Sequence, residues 1–166
     1  MISQFMARPT EKHLQCAQRV LRNISGTKDR GLLYQTGTTV QLVGYTDVDW
    51  DGNIGDRRST SGFALSLGSV AIVWSNKKQS IVALSITEAE YRGAVLATCK
   101  AIWLKWLLKD LQVEVSDPMA IYCGNFSSIQ LAKNPVFHTQ TKHIDVHYHF
   151  VLDCVLSGEV ELQYVP

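Results

Sequence analysis

Four carboxylates stand at spacings that could hold a metal ion. Asp47 and Asp49 lie two residues apart in VQLVGYTDVDW, whose β-branched and aromatic content predicts a strand, so both side chains would face one side of a sheet. Glu88 and Glu90 lie where a long helical pattern begins. A strand carboxylate beside one at a helix start offers the hard oxygen ligands that Mg²⁺ takes, with positions left for a substrate phosphate. The spacing therefore permits a magnesium site.

The same two glutamates have a structural alternative. Ser85 stands three residues before Glu88, and Thr87 stands three residues before Glu90. Both pairs fit a capping box, in which the glutamate closes the start of a helix and does no chemistry. The spacing leaves both interpretations open, and it favours capping because capping boxes are common.

The segments around these acids predict an α/β plan. Thr10 is expected to cap a helix that ends near Gly26, and a short strand is expected at residues 32–34. The stretch FALSLGSVAIVWS predicts two strands folded about Gly68 and Ser69, so three antiparallel strands would stand side by side. A long amphipathic helix is expected over residues 85–111. Its apolar stripe would consist of Ala89, Gly93, Leu96, Trp103, Leu107 and Leu111.

The rest of the chain predicts two further strands and two further helices. MAIYC predicts a fourth strand, and a short helix follows at residues 126–133. TKHIDVHYHFVLDCVLSG has apolar residues at helical spacing and ends at Gly158, and EVELQYVP alternates like a final strand. The expected architecture is a mixed five-stranded sheet with flanking helices, plus the N-terminal helix.

Composition excludes several classes of protein. The 166 residues are 46% apolar and 19% charged, with a net charge of only +1, which is typical of an ordinary globular domain. This small net charge argues against a broad, positively charged surface that binds nucleic acid. No stretch is long enough to cross a bilayer, and the four cysteines stand far apart in apolar segments. We therefore expect an intracellular protein, of cytoplasm or nucleus, with reduced thiols and no membrane partner.

The order of several long segments resembles one family. GYTDVDWDGNIGDRRSTSGFALSLG, SNKKQSIVALSITEAEYRGAVLATCKAIWL, LAKNPVFHTQTKHIDVHYHF and GEVELQYVP are similar to the ribonuclease H region of copia-type retrotransposon polyproteins. FMARPTEKHLQCAQRVLRNISGTKDRGLLY resembles the tail of the reverse transcriptase that precedes it there. The resemblance covers essentially the whole chain. It implies a ribonuclease H-like fold at residues 37–166 and a reverse transcriptase remnant at residues 1–36.

The resemblance also implies a set of site residues. In the family, four acidic residues hold two Mg²⁺ ions, and motif by motif Asp47 takes the first position and Glu88 the second. Gly124 stands at the third position, where the family pattern has YCDN and this chain has YCGN. The fourth acid is expected beyond Pro166, with the C-terminal helix. Asp47 and Glu88 would be the remaining metal ligands, so magnesium binding is expected to be weak or absent.

Other residues could bind ligands. Five basic residues could follow a phosphate backbone or be solvated loop charge, namely Arg57, Arg58, Lys77, Lys78 and Lys142. His143 and His147 have a zinc-compatible spacing, with Cys154 further along, but a packing or surface role is favoured because no fourth ligand is evident. The four tryptophans are expected in the core or in strand packing rather than stacked on bases.

Three functional hypotheses follow. The favoured one is an inactive ribonuclease H-like domain, a gene in its own right because it begins with methionine, that binds a protein partner or itself through surface uncovered by truncation. The second is an active, magnesium-dependent nuclease that cleaves RNA in RNA/DNA hybrids, in which Asp49, Glu90 or a partner chain supplies the missing negative charge. A variant of this hypothesis is a domain that binds hybrids weakly without cleaving them. The third is a drifted fragment without a selected role.

Overall fold

The computed structural model describes residues 5–37, 39–50, 57–116, 118–133 and 145–166. The chain divides into two compact units, Met1–Leu33 and Tyr34–Pro166. The second unit begins close to the predicted boundary between residues 36 and 37. The origin of the two parts, reverse transcriptase and ribonuclease H, stays a prediction. No helix in the described ranges is long and apolar enough to cross a membrane.

The first unit contains helix α1, Glu11–Thr27. It begins after Thr10, as predicted, and the backbone N–H of Thr10 donates to Nδ1 of His13 at 3.0 Å. The apolar side chains along it are exposed, among them Leu14, Val20, Leu21 and Ile24. The strand expected at residues 32–34 is wrong. Those residues are exposed and unpaired, so no buried face stabilises a strand there.

The second unit is built on a mixed five-stranded sheet, which confirms the predicted architecture. Its strands are β1 (Leu42–Asp49), β2 (Thr60–Leu67), β3 (Val70–Lys78), β4 (Met119–Cys123) and β5 (Val160–Tyr164). They lie in the order β3-β2-β1-β4-β5. The first three are antiparallel, and β4 and β5 run parallel to β1. The β2–β3 hairpin turns at Gly68, whose φ of 61° is a conformation that glycine adopts without strain.

In the described part of the second unit the helices are α2 (Ile86–Asp110), α3 (Phe126–Lys133) and α4 (Asp145–Leu156). Helix α2 packs closely against β1 at Gly93. A Cβ atom there would lie 2.7 Å from Cγ2 of Val48 and 2.9 Å from Oγ1 of Thr46. This contact holds the start of α2 against the central strand, where Asp47 is the residue between those two.

The buried face of α2 differs from the predicted stripe. Small and medium side chains pack against the sheet and the other helices, including Ala94, Ala97, Ala101, Leu104 and Leu108. The prediction is wrong for Leu96, Trp103, Leu107 and Leu111, which are exposed. Alanines on the inner side let the helix approach the sheet closely, whereas bulky side chains would hold it away. Helix α2 therefore has apolar residues on two opposite faces.

The tryptophans also differ from the prediction. Trp50, Trp74, Trp103 and Trp106 are all exposed, and Trp74 and Trp106 keep 67% and 61% of their surface accessible. The expectation of core packing is wrong because the residues against the sheet in α2 are small, and because Trp74 lies on β3, the edge strand.

Candidate functional site

Asp47 lies on the central strand and borders an open cleft. Along β1, Thr46 and Val48 are buried while Asp47 and Asp49 are exposed, so the two acids share one face of the sheet as predicted. Thr46 is the register partner of Cys123, the last residue of the parallel strand β4. The residue after Cys123 is therefore at the level of Asp47.

Gly124 borders the same cleft as Asp47. No heavy atom lies within 4 Å of a Cβ built on Gly124, so the position has room for a side chain but carries none. The neighbouring Asn125 does not replace a carboxylate, because its Oδ1 accepts the backbone N–H of Ser128 at 2.9 Å and caps α3. The end of β4 thus presents open space to Asp47.

Glu88 closes the first turn of α2. Its backbone N–H donates to Oγ of Ser85 at 3.1 Å, and its Oε2 accepts the backbone N–H of Leu84 at 2.8 Å. Its Oε1 accepts from Nε and Nη2 of Arg92 at 3.2 and 3.0 Å. Both carboxylate oxygens are therefore engaged; the Ser85 side chain caps α2 as predicted, but Glu88 reaches the backbone N–H of Leu84 rather than that of Ser85.

Glu90 is the glutamate whose pKa is affected by the charge of Asp47. Its side chain is only 6% exposed, and no described residue donates a hydrogen bond to its Oε2. Burial, and secondarily the charge of Asp47, raises the pKa of Glu90 to about 7. Burial, followed by the charge of Glu90, raises the pKa of the Cys123 thiol to about 12. Glu90 is therefore within electrostatic reach of both Asp47 and Cys123.

At the helix position of the site, the family resemblance implies Glu88 and not Glu90. A signal for it exists, because Glu90 starts the spacing that continues with Ala94, Ala97, Ala101 and Leu104, which is the inner face of α2. Glu88 falls outside that spacing. An alanine-rich buried face therefore places Glu90, and not Glu88, on the inner side of α2.

Two carboxylates do not fit a pair of Mg²⁺ ions. Among the described residues, no group of three or more His, Cys, Asp and Glu side chains is placed to hold a metal. The unpartnered Oε2 of Glu90 suits a cation ligand, but only Asp47 accompanies it, and a two-metal site requires ligands that bridge and flank both ions.

The predicted basic residues gather at one end of the β2–β3 pair. Lys77 and Lys78 are the register partners of Ser61 and Thr60, and Arg57 and Arg58 lie three and two residues before Thr60. Lys77 and Lys78 border a pocket with Gln79, Ser80 and Arg92, whose apolar wall comes from α2. Lys142 and His143 lie outside the described residues, as does the side chain of His147. Cys154 is buried.

The comparisons with known proteins show the family and the fold. No family model matches the chain. It is 42% identical over 164 residues to the retrovirus-related Pol polyprotein from transposon RE1 of Arabidopsis thaliana, which covers 99% of this chain and 11% of that protein. It is 38% identical over 155 residues to the Pol polyprotein from transposon TNT 1-94 of Nicotiana tabacum, covering 93% of this chain and 12% of that one. It is also 44% identical over 104 residues to secreted RxLR effector protein 161 of Plasmopara viticola, covering 63% of this chain and 73% of that protein.

The chain belongs to the copia-type retrotransposon Pol family. Its fold is that of ribonuclease H. The N-terminal RNase H domain of rv2228c from Mycobacterium tuberculosis superimposes with a TM-score of 0.51 at 17% identity, covering 77% of this chain and 84% of that one. LC11-RNase H1, solved in complex with an RNA/DNA hybrid, gives a TM-score of 0.52 at 12% identity, covering 76% and 86%. This ribonuclease H-like domain spans about a tenth of the length of the matched polyproteins.

Proposed function

We propose that this ribonuclease H-like domain does not hydrolyse RNA in RNA/DNA hybrids and acts as a protein-association module. The observation that carries the first part is Gly124, which borders the cleft beside Asp47 and offers only open space there. The family resemblance expects a carboxylate at this position.

The second acidic position of the site belongs, in this proposal, to Glu90 rather than to Glu88. Both oxygens of Glu88 already accept hydrogen bonds from Leu84 and Arg92. Glu90 is buried, has an unpartnered oxygen among the described residues, and feels the charge of Asp47. Turning the Glu88 side chain into the cleft would break its hydrogen bond with Leu84 and its ion pair with Arg92.

The missing carboxylate has a large expected effect on the rate. Mg²⁺ gives up its water shell reluctantly, and each anionic ligand that is absent weakens its binding. Losing one electrostatic contact to the reacting centre costs on the order of 3–4 kcal/mol, or several hundredfold in rate. Asp49 is exposed on the same face as Asp47, but it lies two residues further along β1 and away from Gly124.

The association role is supported by exposed apolar surface. The second unit leaves Trp74, Trp106 and Leu111 more than half accessible. On the face of the sheet opposite α2, the rings of Tyr45 and Tyr122 stack with centroids 5.2 Å apart, and Tyr45 is half exposed. Register places Trp74, Tyr45 and Tyr122 in one row across the sheet, and apolar surface gathered in this way is typical of interaction sites.

Weak hybrid binding is the second candidate. Lys77 and Lys78 border one pocket, and LC11-RNase H1 was solved with an RNA/DNA hybrid. We expect an affinity of about micromolar or weaker at physiological salt, because the net charge is small and few phosphates can be contacted. Without a cation, Asp47 would also repel a phosphate that enters the cleft.

The test of the hydrolytic proposal is incubation of a labelled RNA/DNA hybrid with the purified protein and Mg²⁺ or Mn²⁺. We expect no cleavage above the background of the Asp47→Asn variant, which serves as the control for contaminating nucleases. Cleavage that disappears in Asp47→Asn would refute the proposal and establish an active nuclease.

A further inference from the structure

The face of the sheet that lies opposite α2 carries a row of aromatic side chains. Trp74 on β3 and Tyr45 on β1 are both register partners of Ala64, and Tyr45 is also the partner of Tyr122 on β4. Trp74 is 67% exposed and Tyr45 is 50% exposed. The hydrophobic core lies on the other face of the sheet, where Leu65 packs with the described helices. The described part of the second unit therefore leaves this aromatic row open to a partner.

Carboxylates stand on both sides of the row. Asp47 and Asp49 follow Tyr45 on the exposed face of β1. Glu161 is exposed on β5, where it pairs in register with the residue two positions before Tyr122. Among the described residues, no lysine or arginine forms an ion pair with any of these three carboxylates. The surface is therefore aromatic in the middle and negative at its margins.

This distribution of charge favours a cationic partner over nucleic acid. Bases could stack on the aromatic row, but surfaces that bind single strands also line the phosphate backbone with positive side chains. The described strands place one lysine on this face, Lys78, which lies at the margin in register with Thr60. Three carboxylates against one lysine repel a phosphate backbone and attract a positively charged chain.

Arginine is the cation that fits both the rings and the carboxylates. Its planar guanidinium stacks on aromatic faces and donates to carboxylates, whereas the ammonium of lysine is a compact and strongly hydrated charge. The row from Trp74 to Tyr122 crosses three strand spacings, which is about 14 Å. Two arginines four residues apart in an extended segment are separated by about 13 Å. One extended segment can therefore place a guanidinium on each end of the row.

We infer that this face of the sheet binds an arginine-rich segment of a partner protein. In the complex, guanidinium groups stack on Trp74 and on the Tyr45–Tyr122 pair, and others pair with the flanking carboxylates. Glu161 accepts from Nε2 of Gln163 through one oxygen, at 2.7 Å, which leaves its other oxygen for a guanidinium. This inference rests on the proposed association role and names the chemistry of the partner. Because every contact is exposed, we expect a dissociation constant of about 10–100 µM for a short peptide.

The first test is fluorescence anisotropy of the full chain with a short labelled peptide of alternating glycine and arginine. Matched peptides carry lysine or glutamate in place of arginine, and a labelled single-stranded RNA of similar length represents nucleic acid. We expect the lysine peptide to bind at least about threefold more weakly than the arginine peptide, and the glutamate peptide and the RNA not to bind. Equal affinity for the arginine and lysine peptides would overturn the inference. Tighter binding of the RNA would also overturn it and would indicate a base-stacking surface.

Four variants test the location of the binding surface. Trp74→Leu removes an exposed ring from the edge strand, and Glu161→Gln removes a charge from β5. Each should weaken binding of the arginine peptide by about two- to fivefold with an unchanged circular dichroism spectrum. Trp106→Leu and Glu114→Gln are the matched controls, because they make similar changes on α2 and in the loop beside Lys105, and they should bind like the parent. Equal binding by all four variants would contradict the assignment to this face.

Failure of this inference can be distinguished from failure of the proposed function. An arginine peptide that does not bind, together with hybrids that are not cleaved, would overturn this surface and leave the hydrolytic proposal standing. Cleavage that is lost in Asp47→Asn would refute the hydrolytic proposal, and the peptide measurements would still decide this inference by themselves.

Discussion

The two glutamates at the start of α2 should respond in opposite ways to the same substitution. Burial raises the pKa of Glu90 from 4.5 to about 7, with a further contribution from Asp47. At about 1.4 kcal/mol for each pKa unit, ionised Glu90 destabilises the fold by roughly 3 kcal/mol. Replacing it with glutamine removes this charge. We expect Glu90→Gln to raise the free energy of unfolding by about 1–3 kcal/mol at pH 8, the lower figure applying if the buried amide is poorly paired.

The sign of the pH dependence follows from the direction of this shift. Below pH 4.5 Glu90 is protonated in both the folded and the unfolded state, so the substitution should change little. Between pH 4.5 and about 7 the unfolded chain releases the proton while the folded chain retains it, so parent stability falls as pH rises. The gain from Glu90→Gln should therefore grow through this interval and level off above it. Asp47 and Cys123, the neighbours of Glu90, are unchanged in this comparison.

Glu88→Gln is the matched control. It weakens the cap at Leu84 and the ion pair with Arg92, so we expect a loss of about 0.5–1 kcal/mol at pH 8. Urea unfolding followed by tryptophan fluorescence at pH 5, 6.5 and 8 measures both variants. If Glu88→Gln shows the pH-dependent gain and Glu90→Gln does not, the assignment of the buried carboxylate is refuted.

Two further predictions concern the helix contact and the basic residues. Gly93→Ala should lower the free energy of unfolding by about 1–3 kcal/mol, because the added Cβ would lie 2.7 Å from Cγ2 of Val48. Gly124→Ala is the control: its Cβ meets nothing within 4 Å, so it should change the free energy of unfolding by less than about 0.5 kcal/mol. Equal effects of the two substitutions would contradict the close packing of α2 at Gly93. Lys77→Ala should flatten the slope of the logarithm of the hybrid-binding constant against the logarithm of salt concentration by about one unit, which corresponds to one lost phosphate contact. Lys109→Ala, at the far end of α2, should leave this slope unchanged. Fluorescence anisotropy with a labelled hybrid at several salt concentrations measures both lysine variants, and equal salt slopes would exclude Lys77 from the contact.

Much of the fold could be predicted from local sequence. The turn at Gly68 and Ser69, the strand MAIYC and the helix Phe126–Lys133 each have their own boundary signals, and the structure confirms them. Two exposed acids on one face of β1 follow from the two-residue period of a strand. These features depend on neighbours in the sequence, which is why spacing and residue type are sufficient to predict them.

The site depends on which side of a helix is buried, and spacing does not determine this. Glu88 and Glu90 both satisfy the capping pattern, so only the packing of α2 separates them. The spacing predicts that the bulky stripe through Trp103 is the buried face of α2, whereas the stripe through Ala97 is the face that is buried. Close packing on a sheet favours small side chains over the largest apolar ones.

We propose that Asp47, Glu90 and the open space at Gly124 belong to one corner that lacks the third carboxylate of a metal site. Calorimetric titration of Gly124→Asp with Mg²⁺ and Mn²⁺ tests this most directly, with Gly124→Ala as the control for the added Cβ. We predict metal binding at least about tenfold tighter in Gly124→Asp than in the parent or Gly124→Ala, equivalent to about 1.4 kcal/mol. The gain should vanish when Asp47→Asn or Glu90→Gln is added and persist with Glu88→Gln. Equal metal affinity in Gly124→Asp and Gly124→Ala would contradict the convergence of these residues on one corner.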